Sequence, residues 1–330
     1  MPPSLADVQA RAQGRPRAVL DRVLAILEAD LPSVLSAVGL PAVDTFDYAG
    51  THLDVGALPA VRVAYAVDTQ DFEGGFVDTH SIQIYYHIAH MGTKDAMRQA
   101  LDVASCIRAT IFAHRVDKPV WFKISPRSIS AVPRHLGLHE GFVVSCDIAQ
   151  PPGRAGELWG SLDNVSSIDA DDILADRRPL GRPSKVLDQL VSVLSSELPA
   201  VLSSAGLPAL TTIDWAGIEW NKPWLPALEL SLQNNSTDYG TTHADLNIIR
   251  MSVLHEHQPV KGEMQKRLDT ITLARALLDI HRSEAPYWNL IAPRGLNVSM
   301  QRVGEFEGYE ALVNVHQPVT PTNAHILWGI

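Results

Sequence analysis

A chain of 330 residues is long for one hydrophobic core and predicts two domains. Hydrophobic residues make up 46% of it and charged residues 19%, a balance typical of folded domains that argues against disorder. The net charge of −10 argues against a protein that wraps nucleic acid, because wrapping needs clustered Lys and Arg.

The N-terminal residues contain no apolar run of the kind that a signal peptide needs, and no run of about 18 consecutive apolar residues occurs elsewhere. We therefore expect a protein that is made and used in the cytosol, or in a particle assembled there. Cys106 and Cys146 are the two cysteines. In that compartment a buried reduced pair is favoured over a disulfide or a reactive thiol.

An internal repeat runs through most of the sequence. Residues 19–50 and 186–217 are identical at about half of their positions, and their offset, 186 minus 19, is 167 residues. The same offset relates Leu58-Pro59-Ala60 to Leu225-Pro226-Ala227, Pro126-Arg127 to Pro293-Arg294, and Gln150-Pro151 to Gln317-Pro318. A register that holds from end to end predicts two copies of one domain.

The repeat divides the chain into five predicted segments: an N-terminal extension (1–18), a first repeat domain (19–151), a linker or arm (152–185), a second repeat domain (186–319) and a C-terminal arm (320–330). The linker is rich in Gly, Pro, Ser and Asp, which is typical of a connection between domains. Leu-Trp-Gly occurs at 158–160 and again at 327–329, so each copy is predicted to extend an arm.

Apolar spacing predicts the elements of one copy in chain order. A helix begins at Val19, breaks near Pro32 and ends at Gly39-Leu40-Pro41. Two strands (58–67 and 81–90), a long helix (93–114) and two more strands (120–130 and 142–149) follow. The fold class is therefore α+β, with two tandem homologous domains, each an antiparallel sheet packed by helices in the order α-β-β-α-β-β.

The segment between the first two strands, residues 68–80, is polar and too long for a tight hairpin, so it predicts a projecting loop. Four acidic residues make it strongly negative: Asp68, Asp71, Glu73 and Asp78. The matching segment 233–243 is nearly neutral. A solvated loop is one interpretation, and a loop that lines a pore or channel is the other.

The usual signatures of catalysis are missing from the sequence. It contains no glycine-rich phosphate loop after a strand, no nucleophile elbow and no HExxH helix, so we expect no enzyme, no cofactor and no metal. Several histidines and one glutamate are weak metal or enzyme candidates, with polar surface residues as the favoured interpretation: His80, His87, His90, His243 and the run His255-Glu256-His257.

Two further charged groups have alternative interpretations. Asp169, Asp171 and Asp172 resemble half of a calcium loop but lack its Gly and distant Glu, so solvated linker charge is favoured. Arg127 and Arg294 occupy matched positions after Pro and could bind an anion, cross an interface or form a surface ion pair.

With this element order, each copy resembles the tail-terminator and tail-completion proteins of tailed bacteriophages. The resemblance lies in the amphipathic first helix, the short Leu-Pro-Ala strand (Leu58-Pro59-Ala60 and Leu225-Pro226-Ala227), the long loop, the second helix and the late strand pair. It covers both copies and omits the linker. It implies a ring, without catalysis, at the head-proximal end of the tail tube.

Because this chain carries two copies, the resemblance implies three chains in a pseudo-sixfold ring that contacts the tail tube protein and the head-tail connector proteins. The location would be the tail or neck of a virion assembled in the host cytoplasm, with no membrane. DNA would pass through an acidic bore lined by the 68–80 loop without specific binding. Trp159 and Trp328 would anchor the arms to neighbouring chains. The alternative is a duplicated, non-enzymatic module that binds a ligand or a protein.

Overall fold

The structure is a computed structural model. It describes residues 16–49, 55–71, 77–89, 93–117, 120–121, 123–131, 140–150, 165, 167–175, 181–215, 225–238, 244–256, 261–293, 301–303, 306–318 and 326–328. The chain divides into two compact units, the first made of Met1–His90 and Gln99–Leu180, the second of Met91–Arg98 and Gly181–Ile330. The fold is mixed α+β, with mostly antiparallel strands packed by helices.

The first unit is built from seven main elements and one short helix. They are α1 (Pro16–Ala37), β1 (Thr45–Tyr48), β2 (Ala60–Asp71), β3 (Val77–Ile88), α2 (Lys94–Ala113, counted with this unit from Gln99 on), β4 (Lys123–Ala131), β5 (Glu140–Gln150) and α3 (Ala170–Ala175). The strand order is β1-β2-β3-β5-β4, and every pair is antiparallel except β1 with β2.

The second unit has a similar order of main elements, with three strands in place of two after its second long helix. They are α4 (Pro183–Ser204), β6 (Thr212–Trp215), β7 (Ala227–Asp238), β8 (Ala244–Glu256), α5 (Lys261–Ile280), β9 (Leu290–Pro293), β10 (Gln301–Val303) and β11 (Phe306–Pro318). Strands β7, β8 and β11 are antiparallel neighbours, β6 runs parallel to β7, and β9 and β10 both pair with β11.

The prediction of a break near Pro32 is wrong, because α1 continues through Pro32, as α4 does through Pro199. A proline ring costs one backbone hydrogen bond, and the buried face of the helix offsets that cost. The predicted helix end is confirmed. Gly39 and Gly206 both have φ +68, a left-handed conformation that glycine adopts without a Cβ penalty.

The polar segment 68–80 is mostly strand, which corrects the prediction of a long loop. Asp71 pairs with Val77 and Asp68 with His80, so the hairpin continues to the limit of the described residues around 72–76. β7 and β8 likewise pair to Asp238 and Ala244. Backbone hydrogen bonds between strands can continue through polar residues at the end of a hairpin, so the polar composition of this segment did not indicate a loop.

One described helix, α4, is long and apolar enough to cross a membrane by length and composition. Its apolar stripe, however, is buried in the second unit along Val186, Leu190, Leu194, Leu198 and Leu202. The spacing of that stripe, close to four residues, is typical of an amphipathic helix packed on a protein core. The equivalent stripe of α1 is buried in the first unit in the same way.

Candidate functional site

A buried carboxylate in α1 collects three hydrogen bonds in the first unit. Asp30 is 0% exposed. It accepts hydrogen bonds from His114 Nε2 at 2.7 Å, from the Ser167 hydroxyl at 2.6 Å and from the Ile168 amide at 3.3 Å. Since a buried carboxylate is costly unless it is hydrogen-bonded, these donors hold the residues before α3 against α1.

Serine, histidine and aspartate meet at this point without forming a nucleophilic triad. In such a triad the serine hydroxyl donates to the histidine, which then removes its proton. Here Ser167 and His114 both donate to different oxygens of Asp30. The arrangement fastens a segment of chain and does not activate Ser167.

The second unit repeats the pairing at the same offset of 167 residues. His281 corresponds to His114, and Glu197 corresponds to Asp30. His281 Nε2 lies 3.0 Å from Glu197 Oε1, and His281 Nδ1 lies 2.6 Å from Glu284 Oε1. The hydrogen bond to Glu284, with that to Glu197 and the charge of both carboxylates, raises the pKa of His281 against a smaller opposing effect of burial.

This raised pKa gives the second unit a pH-dependent contribution to stability. The contribution is fully present below the unfolded pKa, about 6.5, and is lost as the pH rises through the higher folded pKa. We expect the free energy of unfolding, measured with denaturant, to fall more between pH 5.5 and pH 8 for the native chain than for His281→Gln. The difference should be below about 1 kcal/mol because Glu197 is half exposed. Equal pH slopes for the two proteins would contradict the assignment.

A buried tryptophan is hydrogen-bonded to the backbone of each of these histidines. Trp121 Nε1 donates to the carbonyl of His114 at 2.9 Å, and Trp288 Nε1 donates to the carbonyl of His281 at 2.9 Å. Both rings are fully buried. The two tryptophans are again 167 residues apart, and each closes a small antiparallel bridge, to Asp117 in one unit and to Glu284 in the other.

The carboxylates in these bridges contact the first helix of their own unit. Arg22 holds Asp117 through two hydrogen bonds of 2.5 and 3.0 Å. At the matched positions, Gln189 Nε2 approaches Glu284 Oε2 at 3.4 Å. The charged bidentate pair of the first unit is thus replaced in the second by one weaker hydrogen bond from a neutral amide donor, which leaves the other oxygen of Glu284 available to His281.

Sequence reasoning missed this whole set of contacts. His114 and Asp30 are 84 residues apart, and neither belongs to a short motif. The signal that could have found them is the repeat itself, because the offset of 167 residues pairs His114 with His281 and Trp121 with Trp288.

A second polar group lies at the far end of the β2–β3 hairpin and its counterpart. His80 is buried between the Tyr65 hydroxyl at 2.7 Å and Gln150 Oε1 at 2.8 Å. In the second unit Asn247 takes the place of His80, and Asn235 donates to it at 2.7 Å. These contacts satisfy buried polar atoms within a sheet and account for His80 as a structural residue.

The C-terminal arm is fastened to the start of α4. Arg182 Nη1 donates to the Leu327 carbonyl at 2.8 Å, and the guanidinium lies over the Trp328 ring, 4.5 Å from its centroid. Beside it, a Cβ on Gly181 would come within 2.4 Å of the side chains of Gln317 and Asp245, so the backbone passes close to β8 and β11. Guanidinium and indole attract each other more strongly when partly desolvated.

The predicted interface residues lie as follows. Trp328 is 9% exposed and lies against Arg182 of its own unit, and its role at an interface stays a prediction. Arg127 is 70% exposed at a bulge of β4 and forms an ion pair with Asp147. Trp159 and Arg294 lie outside the described residues. The surface ion pair that was one alternative for Arg127 is therefore present.

The acidic residues predicted to line a bore fall at the end of one hairpin. Asp68 and Asp71 lie in β2 and Asp78 lies in β3, where Gln70 and Asp78 are paired. Glu73 lies outside the described residues. The backbone therefore brings three of the four acidic positions to the same end of the sheet.

The histidine candidates are dispersed in the part of the chain that the structure describes. Within that part, no group of three or more His, Cys, Asp or Glu could hold a metal ion. His87 is buried and stacked on Tyr85, and His255 is half-buried, while His90, His243 and His257 lie outside the described residues. Both cysteines are buried thiols, as predicted, and burial raises the pKa of the Cys146 thiol, which keeps it protonated.

The chain matches no protein-family model and no curated protein sequence.

Proposed function

We propose that this chain is a tandem duplication of one domain that acts as a structural ring component of a phage-like virion, resembling a tail terminator. Three chains would supply six nearly equivalent wedges at the head-proximal end of the tail tube, joined there to the head-tail connector. The chain would perform no catalysis.

One observation carries the proposal: the same internal contacts recur in both units at a constant offset. The histidine–carboxylate pairs, the tryptophan–carbonyl hydrogen bonds and the glycine-ended first helices all match. Units that share their interior contacts can also share their outer patches. A ring that closes by rotation needs the same pair of patches on every wedge, which a duplication provides.

The acidic end of the β2–β3 hairpin supports a bore that DNA can traverse. Like charge keeps DNA from binding to the wall, and a net charge of −10 extends that repulsion over the chain. A ring structure with this hairpin on the outer rim and a basic lumen would contradict this part of the proposal.

The mass of the assembly is the direct test. We expect native mass spectrometry to show a species of three times the 36.0 kDa chain mass, and negative-stain images to show rings with six lobes. A chain that remains a monomer or dimer at micromolar concentration contradicts the ring.

The same mass measurement can test the predicted anchor role of the two arm tryptophans. We expect the double variant Trp159→Ala, Trp328→Ala to lose the three-chain species, because large buried aromatic side chains dominate such contacts. Circular dichroism of the same sample should show that the units remain folded. An unchanged oligomer removes the anchor role from the two tryptophans and leaves Trp328 with its contact to Arg182.

A duplicated binding module is the second candidate. It is favoured by a difference in exposure between matched residues: Asp30 is fully buried in the first unit, whereas the Glu197 side chain is 46% exposed in the second. A monomer that binds a partner through this face would support the module over the ring.

A further inference from the structure

The first unit shows how one face of its first helix is covered. The chain before α3 donates to Asp30 from Ser167 and Ile168, and α3 then buries Ile173 and Leu174. The covered face consists of Ile26, Asp30 and Val34, which are four residues apart along α1 and all fully buried. His114 completes it from the end of α2.

The equivalent face of the second unit is exposed around its central carboxylate, although its first residue, Val193, is buried. The matched residues are Val193, Glu197 and Val201 on α4, with His281 after α5. The Glu197 side chain is 46% exposed, whereas that of Asp30 is 0% exposed. Val201 is half-buried where Val34 is fully buried. Ile280, immediately before His281, is 78% exposed, an unusual fraction for a large apolar side chain.

The buried carboxylate, Asp30, also has more hydrogen-bond donors than the exposed carboxylate, Glu197. Asp30 accepts from a histidine, a hydroxyl and a backbone amide. Among the residues that the structure describes, His281 is the one polar partner of the Glu197 carboxylate, so no hydroxyl or amide there does what Ser167 and Ile168 do for Asp30. The exposed carboxylate is therefore an acceptor one helical turn from the half-buried Val201, and the exposed Ile280 precedes its partner His281 in the chain.

We propose that this face, made of Val193, Glu197, Val201, Ile280 and His281, is a docking surface for a short helix of a partner protein. The first unit indicates the chemistry of the partner: a serine or threonine hydroxyl and a free backbone amide before the helix, then two adjacent apolar residues, as in Ser167-Ile168 and Ile173-Leu174. A second copy of this chain does not fit as the source, because its own segment is engaged by its own Asp30.

This inference rests on the comparison of the two faces and does not depend on the ring. If the ring fails and the docking surface holds, the chain is a binding module. If the ring forms and no peptide binds, the ring stands alone. The two results are therefore separable.

A peptide that copies the segment from the first unit is the probe. A fluorescently labelled peptide of residues 165–175 is titrated with the full chain, and anisotropy is recorded. We expect saturable binding of one peptide per chain. A peptide carrying Ile173→Asp should bind at least tenfold more weakly, and one carrying Ser167→Ala should bind several-fold more weakly.

Variants of the protein then locate the site. Glu197→Arg and Ile280→Asp, both at exposed positions, should each weaken binding at least tenfold. Val116→Asp is the matched control, since Val116 is an exposed apolar residue that lies shortly after His114 in the first unit, and it should leave binding unchanged. Circular dichroism checks that each variant is folded.

Two results overturn the proposal. One is the absence of saturable binding by the native chain. The other is binding that persists unchanged in Glu197→Arg and Ile280→Asp, which would mean that the peptide displaces the chain's own segment from Asp30 or binds elsewhere.

Discussion

Replacing either Trp121 or Trp288 by Ala is expected to destabilise its unit by about 3–5 kcal/mol, the usual cost of removing a large buried aromatic side chain. Both rings are fully buried, and both tryptophans form an antiparallel backbone bridge, Trp121 with Asp117 and Trp288 with Glu284. Guanidinium unfolding followed by circular dichroism measures the effect. The two losses should be similar, because the two rings make the same hydrogen bond in the same setting.

Phenylalanine provides the control for this experiment. Trp121→Phe and Trp288→Phe keep an aromatic ring in the core but remove the indole N–H, which leaves the carbonyl of His114 or His281 without that donor. Each should cost about 1–3 kcal/mol, less than the alanine variant. A large loss at one tryptophan and a negligible loss at the other would show that the two units are not equivalent in their interiors.

The elements with strong periodicity could be predicted from the sequence. The 3.6-residue stripe of α1 and the alternation in β3 are local signals, and both elements lie where they were expected, within a few residues. Gly39 marked the end of α1 because glycine adopts positive φ readily. In each case a local physical preference agrees with the tertiary structure.

The short parallel strands could not be predicted in this way. β1 and β6 are four residues long, and their pairing with β2 and β7 depends on where the chain returns after the first helix of each unit. The prediction α-β-β-α-β-β therefore lacks β1 in the first copy and β6 in the second, and it also lacks the three-residue strand β10. Four residues carry too little periodicity to be separated from a loop, and parallel pairing is decided by tertiary contacts.

The contacts at the candidate site were hidden for a related reason. Asp30 resembles any polar residue on a helix until α2 brings His114 to it and the chain brings Ser167. The histidines that stood out in the sequence, such as His80, instead form hydrogen bonds to other side chains of the sheet. An internal repeat offers a remedy, since a residue type that recurs at one offset marks positions that make equivalent contacts in the two units.

The matched carboxylates provide the second prediction of large effect. Asp30→Ala removes the acceptor from a buried histidine, a hydroxyl and an amide, and we expect a loss of about 2–4 kcal/mol, because a buried donor left without its partner costs about 1–3 kcal/mol. Glu197→Ala, at the equivalent position, should cost below about 1 kcal/mol because nearly half of the Glu197 side chain is open to water.

Denaturant unfolding gives both losses, and amide hydrogen exchange shows where the first one acts. In Asp30→Ala the amides of residues 168–175 should exchange faster than in the native chain, because the segment loses its attachment to α1. The amides of β3 should exchange at their native rate, because the sheet keeps its own hydrogen bonds. In Glu197→Ala the same segment should be unaffected. Equal losses for the two variants would mean that the segment does not distinguish the two faces, and the docking surface on α4 would then lose its basis.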